Sequence, residues 1–222
     1  MKIDLHCHTY YSKDSICSPK SLVDSAIGRG LDGIAITDHN SARAWPELIE
    51  YCARKKMLLI LGEEIKVKEN GKTIGEILAY FIVKEIDPKN KTIEEIIKEI
   101  RDQGGIAVMA HPFHRSKPFK DQERYAELFD AIECFNSRSQ TTAGNAASQK
   151  IVGQYSLPFV AGSDAHTPWE VGNAFIEAEQ SSTEELKTKI LNRQIKFQGK
   201  QTPLMIQIFA PISKFARLFW KP

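Results

Sequence analysis

Five of the six histidines in this 222-residue chain stand at the ends of short apolar runs, and no other feature constrains the fold as strongly. The first run closes in Asp4-Leu5-His6-Cys7-His8, the second in Thr37-Asp38-His39, the third in Gly62-Glu63-Glu64 and the fourth in Ala110-His111-Pro112. A later one closes in Gly162-Ser163-Asp164-Ala165-His166. Segments this far apart in sequence can share one polar cluster only if their strand ends meet. A βα barrel brings them together by construction, because the C-terminal ends of its strands all open on one face.

Periodicity and punctuation predict that order of elements. Residues 2–6, 33–37 and 57–61 read as strands, separated by helices that start at Ser18-Pro19 and near Pro46. Asn70-Gly71 predicts a hairpin turn between 65–68 and 73–83. Thr92 with Glu95 forms a capping box for a helix to about Gln103, where Gly104-Gly105 ends it. Residues 106–110, 131–135 and 158–162 are further strands, with helical segments near 121–128 and 139–155. A last pair, 174–178 and 195–198, brackets a helix opened by Ser182 and Glu185. About seven βα-type units imply an α/β fold with a parallel sheet, and the number suits a small barrel better than an open sheet. The barrel is expected to occupy residues 1–200, leaving 201–222 as a tail.

Composition removes several classes. With 42% hydrophobic and 26% charged residues the chain can bury a real core. Thirty basic against 28 acidic residues leave +2, so no global field suits a membrane surface or a long nucleic acid, and an anionic partner must be held locally. Cys7, Cys17, Cys52 and Cys134 show no C-x-x-C spacing, which predicts free thiols and a cytoplasmic location. No signal peptide and no membrane span are expected, because polar residues begin at Asp4 and no stretch approaches 18 apolar residues. The tail interleaves Phe209, Phe215, Phe219 and Trp220 with Lys214, Arg217 and Lys221. It is expected to pack on the domain or on a second copy of the chain rather than lie on a membrane.

The spacing within each motif has a chemical reading. Residues i and i+2 of a strand share a side, so His6 with His8, and Asp164 with His166, can each grip one ion. Imidazole mixed with carboxylate suits Zn²⁺, Mn²⁺ or Fe²⁺ better than Ca²⁺ or Mg²⁺. About eight candidate ligands exceed what one four- to six-coordinate ion uses, so two to three divalent ions are expected, with Glu64 able to bridge two of them.

The set Asp4-x-His6-x-His8-Thr9, Ser12 with Asp14, Thr37-Asp38-His39, Gly62-x-Glu64, His111-Pro112 and Gly162-Ser163-Asp164-x-His166 resembles the PHP (polymerase and histidinol phosphatase) family over residues 2 to about 178. Gly75-Glu76-Ile77, His111-Pro112-Phe113, Ile132-Glu133-x-Phe135-Asn136-x-Arg138 and Ser163-Asp164-Ala165-His166-Thr167 are similar to a compact bacterial and archaeal branch of stand-alone metal-dependent phosphoesterases. The resemblance implies a distorted (β/α)7 TIM-like barrel with a di- or trinuclear metal cluster at its C-terminal face. It implies one ion on His6, His8, Glu64 and Asp164, a second bridged by Glu64 and held by His111, and a third on Asp14, His39 and His166. In such relatives the second ion often has a histidine at the end of strand five. Here Glu133, Cys134 and Asn136 stand there, and Asn136 is the expected substitute, with Glu133 next. Forty-six residues separate Glu64 from His111, too few for the substrate-binding subdomain some relatives insert, so specificity is expected from the loops.

The implied chemistry is hydrolysis of a phosphate ester, foremost a phosphomonoester of a small metabolite or nucleotide. A water bridged between two cations becomes a hydroxide near neutral pH and attacks phosphorus. Glu64, Asp164 and His166 are the expected catalytic residues, the last two as sources of the leaving group's proton. Asp38 is expected to orient His39 or a neighbouring ligand. Arg138 and Arg115 are the nearest cations to clamp phosphate, and His114 is placed to touch substrate. Two rivals stand beside this reading: an exonuclease or phosphodiesterase on short oligonucleotides or 3′,5′-bisphosphate nucleotides, and a non-catalytic metal-binding interaction module. The charge balance and the lack of a basic, aromatic stripe argue against a long nucleic-acid footprint. Amide hydrolysis would want a bridging carbamylated lysine, and no lysine sits at a strand-end motif.

Overall fold

The computed structural model describes residues 1–114, 116, 118–139 and 141–207. Its strands are β1 (Lys2–Cys7), β2 (Gly33–Ile36), β3 (Leu58–Glu69), β4 (Lys72–Tyr80), β5 (Ile106–Met109), β6 (Ala131–Asn136), β7 (Phe159–Gly162), β8 (Ala174–Glu177) and β9 (Lys196–Gly199). The helices are α1 (Pro19–Gly28), α2 (Trp45–Lys55), α3 (Ile93–Asp102), α4 (Gln122–Tyr125), α5 (Thr142–Tyr155) and α6 (Thr183–Leu191). The strands form one sheet in the order β7-β6-β5-β4-β3-β2-β1-β8-β9, rolled into a distorted TIM-like barrel.

The barrel is not parallel throughout, which corrects the expectation of a uniform βα repeat. β4 runs antiparallel to both β3 and β5, and β8 runs antiparallel to β1 and β9. The cause at β4 is local. Asn70 and Gly71 both adopt positive φ, 50° and 76°, the two-residue turn that folds a chain straight back. No crossover fits in two residues. The runs expected as separate strands at 57–61 and 65–68 are one 12-residue strand, β3.

Closure occurs where β7 meets β1. A Cβ on Gly162 would lie 2.3 Å from the His6 Cβ, so only glycine lets the two strands approach. Just beyond, the Ala165 N–H donates to the His6 carbonyl at 3.2 Å and the His8 N–H to the Ala165 carbonyl at 3.0 Å. At the N-terminal end of β1, Lys2 and Ile3 pair with β8 instead, and Phe197 of β9 packs on Phe135 and Phe159.

Alternation sorts the core into two layers. Ala35, Ile60, Leu78, Tyr80, Val108 and Val160 fill the barrel with Ile3 and Leu5, joined by Leu186 and Ile190 of α6. Ile34, Ile36, Ile77, Met109 and Ile132 face the helices, meeting Leu22 of α1, Leu48 of α2, Ile96 of α3 and Ile151 of α5. β1 breaks its own alternation. Between the pairs Asp4↔Ile34 and Cys7↔Ile36 it spends three steps against two on β2, a bulge. Leu5 therefore fills the barrel, Cys7 faces the helices, and His6 and His8 share one side, their Nε2 atoms 3.1 Å apart.

The helix ends follow their caps. Thr92 with Glu95 and Ser182 with Glu185 both form capping boxes, and Ser18 accepts the Ser21 N–H. α5 starts at Thr142 rather than 139 because Thr141 is its cap. Of the expected tail, residues 201–207 lie along the end of β6: the Thr202 N–H donates to the Ser137 carbonyl at 2.8 Å. Phe209, Lys214, Phe215, Arg217, Phe219, Trp220 and Lys221 lie outside the described residues. Among the described residues no helix is long and apolar enough to cross a membrane.

Candidate metal centre

The bulge in β1 delivers two fully buried imidazoles to the barrel mouth, and each is held by its Nδ1. His6 Nδ1 lies 2.9 Å from Glu133 Oε1, and a carboxylate only accepts, so Nδ1 carries the proton. His8 Nδ1 lies 3.1 Å from Ser12 Oγ, whose own proton goes to Asp38 Oδ1 at 2.6 Å. In the neutral rings both Nε2 atoms are thereby the lone-pair nitrogens, and they face each other at 3.1 Å with Asp164 Oδ1 3.2 Å from His8 and 3.6 Å from His6. Two imine nitrogens and a carboxylate oxygen converging in this way call for a cation between them.

Glu64 sits at the centre of the remaining donors. Its Oε1 is 2.9 Å from His111 Nε2 and 3.5 Å from His6 Nε2, and its Oε2 is 2.8 Å from His39 Nδ1 and 3.5 Å from His8 Nε2. On the far side of His111, Glu76 Oε2 lies 3.3 Å from the same Nε2. Asp14 completes the rim, 3.4 Å from His39 Nε2 and 3.5 Å from His166 Nε2. His166 donates Nδ1–H to the Asp164 carbonyl at 2.8 Å, which again aims Nε2 at the cluster. Three overlapping groups could each hold an ion: His6, His8 and Asp164; His8, His39 and His166; and His39, Glu64 and Glu76.

Two of these residues occupy backbone conformations that favour glycine. His111 has φ 24° and Asp164 has φ 54°. Such strain costs on the order of 1–3 kcal/mol per residue and collects where side chains must be aimed.

The electrostatics show what the cluster demands. Burial opposes charge on His6, His39 and His111, yet neighbouring carboxylates outweigh it: Glu133, Asp164 and Glu64 push His6 well up, Glu64 and Asp14 push His39 up to about 9, and Glu64 and Glu76 push His111 well up. His8 goes the other way, down to about 3, through burial and the adjacent His166 and His39. Burial also opposes charge on Glu64 and Asp164, and the surrounding histidines still hold both well below the ordinary carboxylate range. The carboxylates draw positive charge into a largely buried space.

The donor set fits divalent cations. Among the described residues Asp14 Oδ1, Glu64 Oε2, His39 Nε2 and His111 Nδ1 are buried with no hydrogen bond of good geometry. A buried polar atom left so costs about 1–3 kcal/mol, a cost that a bound ion offsets when the atom ligates it.

Other expected residues stand elsewhere. Asn136 is the ligand expected at the end of strand five, but its Oδ1 accepts the Arg138 N–H at 2.8 Å and the Ser139 N–H at 3.1 Å. Two backbone donors identify that atom as the oxygen, and the amide turns Nδ2, a donor, towards Glu133 and Asp164. Glu133, the second choice, is spent as well: besides His6, it accepts the His111 N–H at 2.8 Å. The place expected for Asn136 has a nearby carboxylate in Glu76, absent from the expected ligands. Arg138 points away to an ion pair with fully buried Glu170 at 2.6 Å, and Glu170 in turn accepts the His166 and Thr167 N–H groups. His114 lies with its ring 5.5 Å from that of His111, and Arg115 lies outside the described residues. Asp38 acts on His8 through Ser12 and also accepts from Thr9, rather than holding the His39 ring.

Known proteins resemble this chain in sequence and fold. The family model described as PHP domain matches residues 4–190. Uncharacterized protein MJ0417 of Methanocaldococcus jannaschii is 30% identical over 191 residues, covering 83% of this chain and 73% of its own. MJ1587 of the same organism is 32% identical over 164 residues, covering 68% and 92%. Among solved structures, a two-domain protein from Bacteroides vulgatus containing a predicted PHP-like metal-dependent phosphoesterase superposes with a TM-score of 0.75 at 21% identity. That match covers 90% of this chain, which spans 65% of the two-domain structure. The chain belongs to the PHP domain family.

Proposed function

We propose that this chain is a metal-dependent hydrolase of phosphate monoesters borne by a small metabolite or nucleotide. The observation that carries the reading is the set of imidazoles fixed through Nδ1 by Glu133, Ser12 and the Asp164 carbonyl, so that His6, His8 and His166 all present Nε2 to carboxylates at one barrel mouth. His6, His8, Asp164 and Glu64 would hold one ion, Glu64, Glu76 and His111 a second, and Asp14, His39 and His166 a third. Zn²⁺, Mn²⁺ and Fe²⁺ suit this donor chemistry. When bound, such ions supply Lewis-acid charge towards a phosphoryl group and acidify water.

The chain's own groups do the rest. Glu133 and the Ser12–Asp38 pair hold His6 and His8 in one tautomer. The leaving oxygen needs a proton, and we assign its delivery to His166 Nε2 in a two-ion form of the site, in which the Asp14, His39 and His166 group holds no ion and Asp164 stays a ligand. His114, beside His111, is the assigned substrate contact, and Arg115 is a further candidate. Arg138 serves the site from behind, fixing the 166–170 loop through Glu170. The +2 balance favours a small anionic substrate over a long nucleic acid.

Elemental analysis of the purified protein, paired with a Mn²⁺- or Zn²⁺-supplemented screen of phosphomonoesters and phosphodiesters, tests this. Metal near two or three equivalents with phosphate release that His8→Ala abolishes is expected. Stoichiometric metal without turnover on any ester, in wild type as in His8→Ala, overturns the enzyme reading in favour of a metal-binding module.

A further inference from the structure

Two of the candidate ligands, Asp164 and His166, lie on the loop that leaves β7, and Asp164 is in the left-handed region at φ 54°. Strained backbone of this kind persists only where its surroundings over-determine it. The clamp is Glu170. Fully buried, it accepts the His166 and Thr167 N–H groups through Oε2 at 3.0 and 2.9 Å and the Thr167 hydroxyl at 3.0 Å, while Oε1 pairs with Arg138 Nη1 at 2.6 Å. A carboxylate buried this deeply needs its guanidinium, and the guanidinium must itself be held.

Arg138 stands on the turn after β6, and a later segment of the chain holds that turn. Past β9, the Lys200 N–H donates to the Asn173 carbonyl and the Thr202 N–H to the Ser137 carbonyl, both at 2.8 Å. Gln201 Nε2 donates to the Ser139 carbonyl at 3.0 Å, and Asn173 Nδ2 to Thr202 Oγ1 at 3.1 Å. Gln207 closes the arrangement: its Nε2 donates back to the Thr202 carbonyl at 2.9 Å, and its own carbonyl accepts from Arg138 Nη2 at 3.4 Å. Gly199 fixes where the segment starts, because a Cβ there would lie 2.4 Å from the Phe135 ring. Residues 200–207 lie beyond 4–190, the part of the chain that the family model matches.

We propose that residues 200–207 are a strap that sets the metal affinity of the cluster, acting through Arg138 and Glu170 on the loop that carries Asp164 and His166. Both are positioning residues, because Glu170 meets the backbone of the ligand loop and Arg138 meets Glu170. This rests on the metal-centre part of the reading above and not on the reaction. The path is continuous: strap to the 137–139 turn and to Arg138, Arg138 to Glu170, Glu170 to His166. Partners behind a ligand commonly change metal affinity by about 10- to 100-fold.

The test is Co²⁺ binding by the full-length protein, followed by chelator competition and by the visible absorption of the bound ion, which reports its coordination geometry. Gln201→Ala/Thr202→Val/Gln207→Ala removes the side-chain bonds of the strap, and Arg138→Met/Glu170→Gln removes the ion pair without leaving a buried charge. Each set is expected to weaken Co²⁺ about tenfold or more and to change its spectrum, and the two combined to cost no more than the larger alone, since they act along one path. Arg138→Lys, which keeps the charge beside Glu170 and lacks the arm towards Gln207, should fall between wild type and the pair variant. It carries the test with the strap set if the pair variant does not fold. Gly71→Ala is the control for lost stability, because it strains a turn on the β3–β4 hairpin instead. Wild-type affinity in both sets overturns the proposal, as do additive losses or a loss that Gly71→Ala reproduces. If wild type takes up no Co²⁺, the metal centre and the strap fall together. If the coupling is as expected and no ester releases phosphate, only the hydrolase reading falls.

Discussion

Two walls of the barrel mouth meet at Glu64, and they are built on different principles. The wall from β1, β2 and β7 is parallel, and His6, His8, His39, Asp164 and His166 stand at or just beyond its strand ends. The wall from β3, β4 and β5 contains the reversed strand, and there Glu76 sits in the middle of β4, opposite Lys66 of β3. Parallel strands place chemistry by ending. An antiparallel insert places it by register, because a strand that runs the other way passes the mouth in mid-course. The first wall gives close, cross-braced imidazoles; the second gives carboxylates with one histidine and a groove beside them.

The sharpest way to break this comparison is to remove a residue that the parallel wall shares between two donor groups. His8→Ala takes a ligand from both His6/His8/Asp164 and His8/His39/His166. It should cost about 10³-fold in kcat, as expected when several kcal/mol of metal assistance is lost, and at least one equivalent of metal by elemental analysis. Full metal content in that variant would show that the β1 pair does not ligate. Glu76→Gln tests the other wall. It should weaken one ion by about 100-fold in chelator competition and leave the ion on His6, His8 and Asp164 in place. Loss of all metal would mean that the two walls are one cooperative unit.

The same contrast explains what the sequence discloses. The strand-end rule finds His6, His8, His39, Glu64, His111, Asp164 and His166, all of which the structure brings to one mouth, because an H-x-H or D-x-H motif and its geometry are both local. Glu76 escapes it because its place depends on the register of β4 with β3, and the rule looks only at where strands stop. One signal is available: a charge flanked by Ile74, Ile77 and Leu78 in an apolar run is rarely buried unless paired. Asn136 misleads for the opposite reason. It is at a strand end, but its amide oxygen caps the turn that follows, as Asn side chains often do. The reversed β4 is legible in Asn70-Gly71, because a two-residue turn forces it, yet a count of βα-type units passes over that consequence for strand direction.

Glu133 provides a smaller and more specific test, because its carboxylate touches residues of both walls. One oxygen holds His6 Nδ1 and the other accepts the His111 N–H. Glu133→Gln keeps the shape but lets the amide present a donor to His6, which disturbs the tautomer that aims Nε2. Metal affinity should fall about 10- to 100-fold, with secondary structure by circular dichroism unchanged. Glu133→Asp should recover part of the affinity. A Gln variant with wild-type affinity would mean that the protein does not need to fix the His6 ring.

The smallest expected effect asks whether the hairpin wall is a local device. Gly71 has φ 76°, and a Cβ added there would meet no heavy atom within 4 Å, so Gly71→Ala adds backbone strain and no clash. The penalty should be about 1 kcal/mol, read as a fall in Tm of roughly 2–4 °C for a chain of this size. If the turn only sets the register of β4, the strain stays in the hairpin, and metal on His6, His8 and Asp164 is unaffected in chelator competition. The ion assigned to Glu76 and His111 should weaken by less than about threefold, since Glu76 is well inside β4, held by its ladder pairing with Lys66 and by the Ile77↔Ile65 pair beside it. A loss of both ions from so mild a change would show that the register of one hairpin governs the whole mouth. The distinction between a wall placed by strand ends and a wall placed by register would then fail.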